Sequence, residues 1–197
     1  MKLETKRLIL RKPRLSDWKD IVEGCREIDV AKMTEKIPHP YTKKDALWWI
    51  KEISKHSGGK EKYYLFIELK SEKKVIGDLD LENVKKFNGT AETGSWINKK
   101  YWRKGYITEA KIAVNDFAFK KLKLRKLNSY VFTDNKASRK VQEKMGYKLE
   151  GVERKQSRSL STKKIHDVCL YGLLKEDWKK IRPKLIKDLN KKIKDSK

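Results

Sequence analysis

The residues of this chain best suited to chemistry lie together in Tyr101 to Ala110, reading YWRKGYITEA. A basic loop carrying Arg103 and Lys104 runs through Gly105 into the start of a helix at Tyr106, Ile107 and Thr108. The first N–H groups of a helix have no intrahelical partner and lie at the positive end of its dipole, and glycine lets a ligand approach the backbone closely. The segment therefore reads as a phosphate site. It matches neither GxxxxGK[ST] nor GxGxxG, which argues against a nucleoside triphosphate or a nicotinamide dinucleotide. A strand-to-helix turn whose glycine only permits a left-handed conformation is the plainer alternative.

Other reactive side chains group less well. His39 stands between two prolines and His56 beside Gly58-Gly59, so both read as loop residues. His166 is near Asp167 and Cys169, which do not make a metal set, and no metal is expected. Cys25 and Cys169 lack CxxC spacing and read as reduced packing residues.

The elements that must position the loop follow from periodicity. Leu8 to Leu10 reads as a strand, and Asp17 to about Lys32 as a helix capped by Ser16 or Asp17, with Trp18, Ile21, Val22, Cys25 and Ile28 inward. Pro38 and Pro40 interrupt it. Thr42 starts a second helix, with Trp48, Trp49 and Ile53 as its apolar face and a stop near Ser57 to Gly59. Tyr63 to Leu69 and Val75 to Val84 form a hairpin, and Ala91 to Asn98 is a third consecutive strand. Past the loop, Ile107, Ala110, Val114, Phe117 and Leu122 mark an amphipathic helix. Lys126 to Thr133 is a strand, Asn135 to Met145 a short helix, and Tyr147 to Val152 and His166 to Leu174 are strands. A meander followed by strand-helix-strand implies an α/β (α+β) fold, a mixed sheet with helices on its faces. From Glu176, Trp178, Ile181, Leu185, Leu189 and Ile193 mark an apolar stripe in a lysine-rich stretch, with Pro183 expected to kink or restart the helix. The stripe reads as a packed helix with a solvated basic face, the alternative being a helix that docks on RNA, an acidic protein or a membrane surface.

The bulk numbers set the limits. One domain fits 197 residues, and a 38% hydrophobic fraction suffices for a core. Against 27 Asp and Glu stand 51 Lys and Arg, a formal charge of +24. That surplus attracts polyanions such as RNA, an anionic membrane or a phosphorylated cofactor, and equally fits a thermophile's charged surface or a Lys-rich proteome. No apolar run approaches a membrane span and no signal peptide is visible, so a cytoplasmic protein is expected.

GYITEA after a basic-aromatic loop resembles the GYxTEA of the acetyl-CoA site of GNAT N-acetyltransferases, particularly the branch that acetylates N-termini of ribosomal proteins. Asn135-Lys-Ala-Ser138, then Lys144 to Tyr147 and Glu150-Gly151, is similar to that branch's NxxSxxxxxKxGF…EG, and His166-Asp167-Val168 with Tyr171 and Leu174 looks like its closing strand. The opening ETKRLILRKPRLSDW fits as well. The resemblance implies a mostly antiparallel sheet with a splayed strand pair, a domain over residues 1–175 and a basic C-terminal helix or tail over 176–197.

It further implies that acetyl-CoA lays its pantetheine arm along Trp96, Ile97 and Asn98, its pyrophosphate on the N–H groups from Arg103 through Lys104, Gly105, Tyr106, Ile107 and Thr108, and its thioester end near Asn135 and Ser138. A neutral amine must attack the thioester, so a base, an oxyanion donor and an acid are needed. Glu92 is the candidate base, the N–H near Ile97 the oxyanion donor, and Ser138 a candidate acid. Gln142 occupies the position where many members place a tyrosine acid, and Trp102 and Ile107 depart from RxxGxG/A. Bulk at Ile107 pushes the loop outward or packs under the helix.

The expected acceptor is a protein N-terminal α-amine, reached by a monomer or homodimer whose basic surface brings it near the ribosome or RNA. Polyamines and other small amines are the alternative, opposed by the positive charge unless acidic residues are grouped locally. A catalytically weak RNA- or ribosome-binding protein of the same fold is the third reading.

Overall fold

The computed structural model describes residues 2–56 and 61–195. In chain order the elements are β1 (Lys2–Glu4), β2 (Leu8–Arg11), α1 (Trp18–Cys25), α2 (Ile28–Ala31), α3 (Lys43–His56), β3 (Tyr63–Leu69), β4 (Lys74–Lys85), β5 (Thr90–Ile97), α4 (Tyr106–Asp116), β6 (Lys126–Phe132), α5 (Lys136–Lys144), β7 (Lys148–Arg158), β8 (Ile165–Leu174) and α6 (Lys175–Asp195). The strands form one sheet in the order β1-β2-β3-β4-β5-β6-β8-β7. Every neighbouring pair is antiparallel except β5 and β6.

That pair positions the site. The two strands run parallel and are paired only from Thr90 to Glu92 and Lys126 to Asn128. Beyond Glu92 they part, leaving a fork bounded by the rest of β5 and the rest of β6.

Apolar side chains alternate along the strands and feed a different cluster on each face. Leu65, Ile67, Leu79, Leu81, Leu127 and Tyr171 pack with Ala110 and Val114 of α4 and Trp178 and Leu185 of α6. On the opposite face Tyr64, Phe66 and Val75 pack with Ile21 and Cys25 of α1 and Ala46, Ile50 and Ile53 of α3. Helices thus cover both faces.

Several elements differ from the sequence expectation. The helix expected over Asp17 to Lys32 is broken, because Glu27 takes an extended conformation (φ −69°, ψ 120°) between α1 and α2. Trp48 is 65% exposed, and the buried stripe of α3 runs through Ala46, Ile50 and Ile53 instead. The stop of α3 near Ser57 to Gly59 lies outside the described residues. The helix expected to reach Leu122 gives way at Phe117 to one π-helical turn, Phe117–Lys121. β1, with Leu3 its only apolar residue, and the polar extension of β7 to Arg158 carry no sequence signal and exist through pairing.

α6 runs through Pro183 without restarting. A proline inside a helix costs roughly 3 kcal/mol. Burial of Trp178, Leu185 and Ile193 offsets this, since each large apolar side chain contributes about 1.5–3 kcal/mol. Asp116 of α4 adds anchorage, accepting hydrogen bonds from Trp178 Nε1 at 3.0 Å and Arg182 Nη2 at 2.6 Å.

Candidate active site

Alternation along β5 decides which backbone groups face the fork. The Asn98 N–H donates to Ile76 O at 2.8 Å, and the N–H groups of Gly94 and Trp96 donate to the carboxylates of Asp80 and Asp78, at 2.6 and 3.2 Å. All three point toward β4. The odd-numbered residues Thr93, Ser95 and Ile97 therefore present their N–H and C=O groups to the fork. Of the three residues expected along the pantetheine arm, Ile97 alone has backbone groups that face it, with Ser95 beside it. The Trp96 side chain packs on Gly24 and the Asn98 side chain accepts from Lys100 N, so both hold the strand and loop rather than the fork edge.

The basic loop follows directly. Trp102 donates its indole N–H to Ile97 O at 2.7 Å, tying the loop back to the fork edge. Arg103 and Gly105 both have positive φ, 61° and 82°, and Gly105 is the N-cap of α4. The first intrahelical bond there is Glu109 N–H to Gly105 O, so the N–H groups of Tyr106, Ile107 and Thr108 are free of the helix ladder. Ile107 packs against the core, which settles how its bulk is accommodated.

Chain termini brace this loop. Arg7 bonds the buried Glu109 and Lys104 O and lies 4.3 Å over the Tyr106 ring, and Lys192 of α6 donates to Arg103 O at 2.6 Å. Carbonyls engaged from behind leave Arg103 and Lys104 exposed with the free N–H groups of Tyr106, Ile107 and Thr108 ahead of them, an arrangement that suits a pyrophosphate.

Residues directly across a ladder share a face. On the α1–α3 face of the fork Glu92 stands opposite Glu82, and Asp80 opposite Gly94. Glu82 accepts from the Tyr64 hydroxyl. Burial and then Glu82 raise Asp80 to about 6, with the Gly94 N–H acting the other way, and burial and then Asp80 raise Asp78 well above the carboxylate range. Tyr130, half exposed on β6, completes this face and feels Glu92, Glu153 and Glu150. The grouping of these carboxylates was missed from sequence, although Asp78-Leu-Asp80-Leu-Glu82 alternates plainly.

On the α4 face Thr93 Oγ1 lies 3.5 Å from the Tyr147 hydroxyl and 3.3 Å from Asn128 O. Gln142, buried, donates to Ser129 Oγ at 2.8 Å. Lys111, 2% exposed, places its ammonium 5.9 Å from the Tyr147 ring centre. It was also missed, yet a lysine on the stripe Ile107, Ala110, Val114 is a legible anomaly.

At the tip of β6, Asn135 caps α5, its Oδ1 accepting from Ser138 N at 3.0 Å. Asn135 thus makes the cap, and the Ser138 hydroxyl is not needed for it. His166 stacks on Phe132 at 4.1 Å and contacts Asp134 through Nδ1 at 3.1 Å, away from the phosphate loop.

The sequence model of an acetyltransferase (GNAT) domain matches residues 7–148. The chain is 29% identical to the N-acetyltransferase YoaA of Bacillus subtilis over 173 residues, 88% of this chain and 96% of that one. It is 35% identical over 105 residues, 53% of this chain and 56% of the other, to YdaF of the same organism, provisionally named a ribosomal N-acetyltransferase. The crystal structure of a GNAT-family acetyltransferase from Bacillus anthracis superposes with a TM-score of 0.76 at 27% identity, covering 89% of this chain and 99% of that one. A forked sheet, a fork edge free of strand pairing and a cationic helix N-terminus are what an acetyl-CoA site requires, and this chain belongs to the GNAT family of N-acetyltransferases, with acetyl-CoA as acetyl donor.

Proposed function

We propose that the chain acetylates protein N-terminal α-amines, of the kind found on ribosomal proteins. The observation that carries this reading is the set of carboxylates Asp80, Glu82 and Glu92 on the α1–α3 face of the fork, opposite the phosphate loop, in a molecule whose formal charge is +24. A protonated amine is drawn to that face against the net charge. The partial similarity to YdaF supports a ribosomal acceptor.

Acetyl-CoA supplies the activated acetyl thioester. Arg103, Lys104 and the N–H groups of Tyr106 to Thr108 hold its phosphates, and the fork edge at Ser95 and Ile97 aligns its pantetheine arm. Glu92, the last residue of β5 paired to β6, takes a proton from the amine, directly or through water. The Ser95 N–H, which also faces the fork, stabilises the oxyanion in place of the Ile97 N–H expected, since Ile97 lies about 16 Å along β5 from Glu92 at roughly 3.3 Å per residue. Asn135 and Ser138 lie at the start of α5, near the thioester end.

A second reading, acetylation of a polyamine or another small amine, gains from the same carboxylates, which supply the local negative charge that such a substrate needs. Incubating the protein with isotopically labelled acetyl-CoA and a cell lysate, followed by mass spectrometry, decides between them. Label on protein α-amines, ribosomal proteins foremost, is expected. Label confined to small amines would replace the first reading with the second.

A further inference from the structure

Lys111 is unusual on physical grounds. It projects from the core-facing stripe of α4 and is 2% exposed, yet among the described residues no carboxylate lies within ion-pair distance and no hydrogen bond holds its ammonium. An ammonium in so buried a side chain, with only the Tyr147 ring and the more distant Asp80 to offset its desolvation, is costly to the fold.

Its surroundings place it at the base of the fork. The Tyr147 ring is 5.9 Å away, and the hydroxyl of that tyrosine approaches Thr93, the first β5 residue beyond the paired segment. Asp80 is the charged group that acts on it. That carboxylate is bonded to Gly94 N on the opposite face of the sheet. The titratable groups facing Lys111 are thus Asp80 from β4 and Tyr147 ahead of β7. Burial lowers the ammonium to about 8, Asp80 partly opposing, which brings it into the range of a thiol. Gln142, also buried here, has no proton to give at neutral pH, and its Oε1 lacks a partner.

We propose that Lys111 is the general acid of the reaction, delivering a proton to the sulfur as the acetyl group leaves it. This rests on the acetyl-CoA geometry given above. The amine nitrogen bonds to the acetyl carbon, the carbon–sulfur bond breaks with its electron pair on sulfur, and one Lys111 N–H proton passes to that sulfur. The amine gives up two protons through Glu92. One is released, and the other, relayed by solvent, restores the Lys111 ammonium.

The test uses free CoA, whose bound thiol is titrated by thiolate ultraviolet absorbance in the wild type, Lys111→Met and Lys111→Arg, with CoA binding followed by calorimetry. The bound thiol is expected to ionise about one pH unit lower than free CoA in the wild type, as an adjacent cation requires. Lys111→Arg should keep that shift and Lys111→Met should lose it. Turnover should fall about 100-fold in both variants, because a guanidinium holds its proton. If Lys111→Met does not fold, the wild type and Lys111→Arg still decide. CoA bound with an unshifted thiol in the wild type, or with the same shift in Lys111→Met, would overturn the role of Lys111 alone. Absence of CoA binding in the wild type would overturn it together with the reading on which it rests.

Discussion

The two faces of the fork are built from opposite charges. On the α4 face stand a buried ammonium at Lys111 and, at the head of the same helix, Arg103 and Lys104 around a cationic N-terminus. On the α1–α3 face stand Asp80, Glu82 and Glu92, with Asp78 buried beside them in a setting that favours its neutral form. A formal charge of +24 describes neither face. Net charge governs long-range attraction, whereas the acceptor is selected within the few ångströms over which the local carboxylates dominate. The difference teaches that a strongly basic protein can still present an anionic entrance to an amine.

The comparison is broken most severely at its anionic side. Glu92→Gln should lower kcat by about 100-fold or more while leaving acetyl-CoA affinity nearly unchanged, as steady-state kinetics and calorimetry will show. Unaltered turnover across pH would remove Glu92 from the reaction.

Removing the buried cation should stabilise the fold. The folded-state value of Lys111 lies below its ordinary 10.5, at about 8. The penalty is therefore fully present below pH 8 and is relieved as pH rises from 8 to 10.5. Lys111→Met should gain on the order of 3 kcal/mol near pH 7, with the gain fading toward pH 10.5 in denaturant titrations.

Asp80 has the opposite dependence. Its folded value is raised from 3.8 to about 6, so protonation favours the fold as pH falls from 6 to 3.8, and the ionised form carries the penalty above 6. Asp80→Asn should be more stable than the wild type at pH 7 by on the order of 2 kcal/mol, the difference shrinking below pH 6. It should also raise KM for the amine.

The smallest effect belongs to exposed loop charges. Arg103→Ala with Lys104→Ala should weaken acetyl-CoA binding by about tenfold, more weakly at high salt, and leave the amine KM unchanged. A change in the amine KM instead would place the acceptor on the loop side.

Much of this architecture could be read before folding. Asp78 to Glu82 alternates strictly within its strand, and Gly105 announces the loop. What could not be read depends on where chains meet. The fork exists because β6 leaves β5 after Asn128, which no local pattern marks. Trp96 and Asn98 were expected at the fork, but strand alternation, set by the bond of Asn98 to Ile76, turns them toward β4. Asp78 looks like a solvent-facing position of an amphipathic strand until α1 packs over it. Lys111 stands out on the apolar stripe of its helix, but that it faces Tyr147 depends on a residue 36 positions away. Arg7 and Lys192, far from the loop in sequence, brace it only through the packing of the two termini.

The most direct measurement of the central claim is kcat/KM for two peptides that share an N-terminal serine and differ only in carrying lysines or glutamates over the next few residues. An anionic acceptor face predicts that the lysine peptide is preferred, and that Glu82→Gln narrows the preference. Preference for the glutamate peptide, as the net charge alone would dictate, would contradict it.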